Sequence, residues 1–381
     1  MNPEFYLDNA ATTALHDEVL SETLPLLQGG FGNPSSPHAH GVDAGRAVKR
    51  ARERLARLLD VPPRGITFTS GGTESGNLAL KGAFASPRLK GERILVSAIE
   101  HPAVMEPARW LGDQGARMET IPVTREGTVD LAALAGLLDG EVRVVSVMAV
   151  NNELGTAQPL AEIGRLLKTH APRAVFHVDA VQAFTKQPLD WRRAGIGLLS
   201  LSAHKVHGAK GVGALVRCAP LELAPLIHGG GQEDGLRSGT ENPFGVAAFA
   251  LAAERTAALH GEQRPMRAEY RRRWLDFLAD FPALKVFRSP AATDFMVHFC
   301  YPPIPGEVVL HHLEQQGLLV STGSACSTRK PEPSHVLLAA GMSERDALSS
   351  IRLSFSVDNT LDGLADVFAA FKRAMDKLGK V

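Results

Sequence analysis

Between about residues 43 and 216, short apolar runs alternate with longer amphipathic stretches, and few architectures accommodate that alternation. Residues 66–69, 94–97, 142–150, 175–178, 198–202 and 212–216 read as strands. Residues 43–59, 73–84, 102–114 and 160–168 read as helices between them. The run 142–150 is almost continuously apolar, as a strand buried on both faces requires. Strands that alternate with helices imply a mostly parallel sheet covered on both sides. After Gly229-Gly230-Gly231 the pattern changes. An Ala-rich helix at 242–259 and a charged one at 266–281 come first. Short strands (285–287, 296–299, 350–354) then mix with helices (306–316, 361–378), as in a separate α+β unit. A chain of 381 residues exceeds what one core normally organises, so two domains are expected.

Charge and cysteine usage narrow the function. Lys+Arg and Asp+Glu both number 41, which gives no basic surface for nucleic acid. No apolar run reaches the roughly 18–20 residues needed to cross a bilayer, and the N-terminus lacks the basic-then-apolar order of a signal peptide. Cys218, Cys300 and Cys326 lack the spacing of a disulfide framework or a zinc site, and a reducing, cytoplasmic setting is expected. Cys218 and Cys300 follow apolar runs and read as buried small hydrophobes. Cys326 sits in Ser321-Thr322-Gly323-Ser324-Ala325-Cys326-Ser327-Thr328, a turn-prone polar stretch in which a thiol can react.

Four segments fall just past predicted strands, the edge where open α/β sheets bind ligands. Thr69-Ser70-Gly71-Gly72-Thr73-Glu74 joins a strand to a helix; its glycines and the helix N-terminus suit a phosphate, or simply a tight turn. In His177-Val178-Asp179-Ala180-Val181-Gln182, a carboxylate leaves a buried strand and needs a cation beside it, unless it only caps a helix. A protonated pyridine nitrogen is such a cation, and Gln182 is placed to reach a ring oxygen. Ser200-Leu201-Ser202-Ala203-His204-Lys205 offers an amine that desolvation makes nucleophilic, with Ser202 and His204 beside it; the ordinary alternative is a surface lysine. His101, in Ile99-Glu100-His101-Pro102, can stack on an aromatic ring and move protons, though a lone histidine is more often structural.

Taken together, these segments resemble the cysteine desulfurases, a branch of the fold-type I pyridoxal-phosphate (PLP) enzymes related to class-V aminotransferases. The resemblance also rests on Tyr6-Leu7-Asp8-Asn9-Ala10-Ala11-Thr12-Thr13, Gly32-Asn33-Pro34-Ser35-Ser36, Asn151-Asn152-Glu153-Leu154-Gly155, Arg237-Ser238-Gly239-Thr240-Glu241-Asn242, Gly323-Ser324-Ala325-Cys326-Ser327 and Ser350-Ile351-Arg352-Leu353-Ser354, in the family's order. It implies an α/β large domain over 15–250, built on a mostly parallel seven-stranded sheet flanked by helices. Residues 1–14 and 251–381 would form a smaller α+β domain whose segment at about 318–333 carries the reactive cysteine.

The resemblance also implies roles. Lys205 would hold PLP covalently, Asp179 would pair with the pyridine nitrogen, Gln182 would bond the ring oxygen, and His101 would stack on the ring. Gly72, Thr73, Ser202 and His204 would bind the phosphate, joined by Thr240 from a second subunit, which implies a homodimer with shared sites. Asn152 would lie at the cofactor and, with Arg352, take the substrate carboxylate. Cys326 would accept sulfur from L-cysteine, giving L-alanine and a persulfide for an acceptor protein. Neither a metal, a nucleic-acid partner nor a membrane is expected. Selenocysteine lyase, another class-V aminotransferase-type enzyme, and a persulfide carrier without catalysis are the alternatives.

Three departures from the family pattern stand out. Arg329-Lys330 follows the cysteine where small residues are usual, Asp234 replaces a common arginine and puts the local loop packing in doubt, and the chain stops at Val381 without the tail used to dock a scaffold. Gly208-Ala209-Lys210-Gly211-Val212-Gly213 precedes a strand instead of following one, so it is no dinucleotide fingerprint. His38, His40, His311 and His312 lack the further ligands of a metal site.

Overall fold

The computed structural model describes residues 3–302, 304–323 and 332–378. Seven strands build the main sheet: β1 (Ile66–Thr69), β2 (Arg93–Ser97), β3 (Arg117–Ile121), β4 (Val142–Ser146), β5 (Val175–Asp179), β6 (Leu198–Ser202) and β7 (Gly213–Arg217). Their spatial order is β1-β7-β6-β5-β4-β2-β3. The pairs from β6 to β3 are parallel, and only β7 runs against its neighbours. The expected mostly parallel sheet is therefore present. A second, antiparallel sheet has the order β10-β9-β8, from β8 (Lys285–Val286), β9 (Met296–Cys300) and β10 (Ser350–Ser354).

Each sheet has its own core. In the first, Leu95, Val145, Phe176, Val178 and Leu199 pack on one face of the strands, and Ile94, Val96, Val144, Val175 and Leu198 pack on the other. Leu7, Tyr270, Trp274, Phe299, Ile351 and Phe371 form the second, with Trp274 edge-on to Phe368 at 4.9 Å. The helix Pro243–Glu262 places Val246, Phe249, Ala250 and Ala253 in the first core. A border drawn at residue 250 thus falls inside one helix. The N-terminal segment crosses between the lobes, with Leu7 in the second core and Ala10 in the first.

The structure departs from the sequence-based expectation where burial and periodicity part company. β3 escapes a periodicity reading because Ile121 is its one buried residue, as befits an edge strand. The apolar run at 142–150 is a regular strand only to Ser146. Its remainder stays buried while Val147 and Ala149 donate N–H bonds to the His177 and Asp179 carbonyls. The first long helix starts at Ala39 instead of 43, because the His38 side chain caps the Gly41 N–H at 3.3 Å. The loop doubted at Asp234 is held by its neighbour. Glu233 and Asp234 take φ of 51° and 55°, and the Glu233 carboxylate accepts two bonds from Arg52 (2.7 and 2.8 Å) and one from the Phe68 N–H (2.9 Å).

Candidate active site

Because β7 alone is reversed, its first residue lies at the edge where its neighbours end. Gly213 pairs with Thr69 on one side and Ser202 on the other. A Cβ on Gly213 would lie 2.6 Å from the Gly71 Cα. Only a glycine therefore lets the turn after β1 fold back over the edge. That turn opens the helix Gly72–Ala85, and a Cβ on Gly71 would lie 4.0 Å from Ser202 Oγ. Glycine turn, helix N-terminus and the buried Ser202 hydroxyl thus share one corner, with Thr73 exposed in the first turn. The Ser70 N–H is taken by Glu74, which Arg237 clamps at 2.8 and 3.3 Å.

Asp179 ends β5, 7% exposed, and pairs in register with Ser200 of β6. One of its carboxylate oxygens accepts the Val181 N–H at 2.9 Å. Burial pushes its pKa up to about 6, against the pull of that N–H and of nearby Lys205. The strand end is braced by His177, which hydrogen-bonds Ser146 Oγ at 2.7 Å and Ser200 Oγ at 2.9 Å across three strands. Burial holds His177 neutral, down to about 3. Gln182 Nε2 donates to the Ala10 carbonyl at 2.8 Å, and its Oε1 is buried without a partner.

Lys205 ends the short helical turn after β6. Its Nζ donates to the carbonyls of Ala10 (2.7 Å) and Ala11 (2.6 Å). His204 Nδ1 lies 3.1 Å from Thr12 Oγ1. Burial first, then Lys205, Lys210 and Lys186, bring His204 down to about 4. His101 caps the helix Pro102–Asp113, its Nδ1 accepting the Ala103 N–H at 3.1 Å. Burial, then Lys205 and His335, lower it to about 4. At neutral pH its one ring proton is therefore on Nε2.

Arg352 is 3% exposed; it donates to the Asn152 carbonyl and to Asp8 Oδ1, both at 2.7 Å, and its Nε is unpartnered. Asn152 thus meets Arg352 through its backbone. Thr240 is exposed and hydrogen-bonds none of the other candidate phosphate ligands within the chain. Cys326, Arg329 and Lys330 lie outside the described residues. On either side of them, Gly323 and Ser334 converge on Glu153: Ser334 Oγ donates to Glu153 Oε2 at 2.6 Å, and a Cβ on Gly323 would lie 2.8 Å from that oxygen.

Several of these partners were missed from sequence: Asp8, the Ala10 and Ala11 carbonyls, Thr12, Glu153 and Glu100. The family-like order of Asp8 to Thr13 and Asn151 to Gly155 was visible, but no local pattern assigns a role to a backbone oxygen. Glu100 is fully buried, accepts Ser97 Oγ and the Met148 N–H, both at 2.6 Å, and leaves Oε2 unpartnered. Burial and, less strongly, Asp179 push it up to about 8. A carboxyl raised above its unfolded value favours folding while protonated and loses that advantage as pH climbs toward 8. Glu100→Gln, which mimics the protonated form, should gain on the order of 1–3 kcal/mol over the parent at pH 8 and nothing near pH 5. Urea unfolding at both pH values reads this, and a pH-independent difference contradicts it.

The class-V aminotransferase family model matches residues 5–367. "Cysteine desulfurase IscS" of Dictyoglomus turgidum is 38% identical over 99% of this chain and 96% of its own length. A solved "NifS-like protein" superposes with a TM-score of 0.92 at 34% identity, covering 99% of this chain and all of that one. A structure described as SspA in complex with cysteine gives 0.80 at 32% identity, covering 92% of this chain and 98% of that one.

Proposed function

The chain belongs to the class-V aminotransferase family, among its cysteine desulfurases, and from that premise we propose that it uses PLP to move sulfur from L-cysteine onto Cys326, releasing L-alanine. One observation carries this reading: Lys205, Asp179, Gln182 and Ser202 meet at one sheet edge with polar capacity left over. The orphaned Gln182 Oε1, the buried Asp179 carboxylate and the glycine turn beside Ser202 fit the ring and phosphate of PLP. When bound, PLP supplies a sink for the electrons left at the substrate α-carbon.

The protein's own groups do the rest. Lys205 would hold the cofactor carbonyl, and its desolvated amine would be the base that moves the substrate α-proton. Asp179 keeps the pyridine nitrogen protonated, and Gln182 orients the ring. Gly72, Thr73, Ser202 and His204 hold the phosphate, together with Thr240 of the partner subunit, so the active form is a homodimer. His101 stacks on the ring and, as the Nε2–H tautomer, gives a proton before it takes one. Arg352 and Asn152 would take the substrate carboxylate. In this reading 15–250 is the cofactor-binding domain, and 1–14 with 251–381 is the smaller domain that carries Cys326 at 318–333. Among the described residues no helix is long and apolar enough to cross a membrane. The persulfide passes to an acceptor protein in the cytoplasm.

The test is direct. Purified protein incubated with PLP should gain a visible band that survives gel filtration. L-cysteine with a reductant should then give alanine and sulfide in equal amounts. Protein that stays colourless, or that deaminates cysteine without releasing sulfide, rejects the reading. Asp179→Asn removes the charge that holds the pyridine proton and should lower kcat on the order of 10²–10⁴-fold with a smaller change in KM. A kcat within a few-fold of the parent would remove Asp179 from the chemistry.

A further inference from the structure

Beside the Lys205 turn lies a cluster of ionisable groups used by no step above. His16 precedes the helix Asp17–Thr23, His207 comes two residues after Lys205, and Asp358 follows β10 in the smaller lobe. His16 Nε2 is 3.6 Å from Asp358 Oδ1, and His207 Nδ1 is 3.6 Å from Asp358 Oδ2. One donor atom from each residue lies within 4.8 Å of the others. The imidazoles stack with centroids 3.9 Å apart, which brings both to the same carboxylate. His16 Nε2 is shut off from solvent yet has no hydrogen-bond partner, and His207 is 1% exposed.

These separations are too long for hydrogen bonds. They suit donors around a shared ion, since two ligands at about 2.1 Å on a tetrahedral centre sit about 3.4 Å apart. A fourth donor is at hand in the Ala14 carbonyl, 3.0 Å from His207 Nδ1. His207 is held at φ 61°, with its N–H on Thr13 Oγ1 at 2.7 Å, a backbone conformation uncommon outside glycine that keeps the ring turned into the cluster.

We propose that His16, His207 and Asp358, with the Ala14 carbonyl, bind one borderline divalent cation of the Zn²⁺ class. Two imidazoles and one carboxylate favour zinc, cobalt or nickel over magnesium or calcium. Entry of the ion moves the His207 proton from Nδ1 to Nε2 and frees the Nδ1 lone pair, with no net proton lost. The bound ion ties the chain near residue 16 and the turn after Lys205 to the smaller lobe, and so stabilises the folded form by mass action.

The experiment uses the PLP-loaded full chain carrying Cys326→Ser, which removes a competing thiol, and titrates Co²⁺ alone. One equivalent per chain should produce the visible ligand-field bands of a four-coordinate nitrogen–oxygen site and raise Tm. Asp358→Asn and His16→Gln should each weaken binding by at least 10–100-fold while keeping the PLP band. X-ray absorption on the Zn²⁺-loaded chain should show two imidazoles and an oxygen shell without sulfur, a readout that does not depend on how the variants fold. Absent bands, affinity unchanged in both variants, or a shell without imidazole overturns the proposal.

Discussion

Lys205→Ala is expected to lose cysteine turnover by on the order of 10³-fold or more, because in the proposed mechanism one amine would both anchor the cofactor and move the substrate proton. Lys205 Nζ also bonds the Ala10 and Ala11 carbonyls, so its loss should cost about 1–3 kcal/mol of stability. Gln182 still serves Ala10, which limits that cost. Borohydride reduction of the PLP-loaded parent followed by peptide mass spectrometry should place the cofactor on Lys205. The variant should carry no such label and should lose its colour on gel filtration. Lys186 provides a stringent control. It is 8% exposed, sits over the Phe295 ring, and is lowered to about 7 by burial and then by Lys205, Arg267 and Arg352. A label on Lys186 in the parent, or turnover retained by Lys205→Ala, would show that the wrong amine has been assigned.

Cys326→Ala should keep the visible band and lose alanine formation from cysteine on the order of 10³-fold, since no other thiol can stand in. Cys218 and Cys300 are 6% and 3% exposed, and burial pushes both thiols up to about 12. At neutral pH they stay protonated, and a protonated thiol is a poor nucleophile. Cys218→Ala and Cys300→Ala should therefore leave kcat near the parent value, with any effect seen in stability. Wild-type turnover in Cys326→Ala rules out a persulfide on this residue. Loss of cysteine turnover with selenocysteine turnover preserved would instead point to a lyase that needs no sulfur acceptor in the chain.

The two variants probe parts of the site that differ in how openly the sequence announced them. Asp179, Ser202 and Lys205 were legible because each follows a short apolar run, and a polar group leaving a buried strand marks a sheet edge. The Gly71–Thr73 turn was legible for the same reason. Arg352 is legible only through the family resemblance, and its partners Asp8 and the Asn152 carbonyl only in the fold. β3 was invisible because an edge strand with one buried residue carries no apolar period.

Residue type and spacing set the alternation of strands and helices, the change of pattern after residue 231, and which chemical groups stand at strand ends. These are local properties, set by burial period and turn chemistry within a dozen residues. Long-range packing sets the reversal of β7 that puts Gly213 under the Gly71 turn, the grip of Ala10 and Ala11 on Lys205, and the meeting of His16, His207 and Asp358. Each joins segments far apart in the chain, often through a backbone oxygen that every residue possesses. Such contacts leave no trace in residue type or spacing, and they exist only once the two cores have packed.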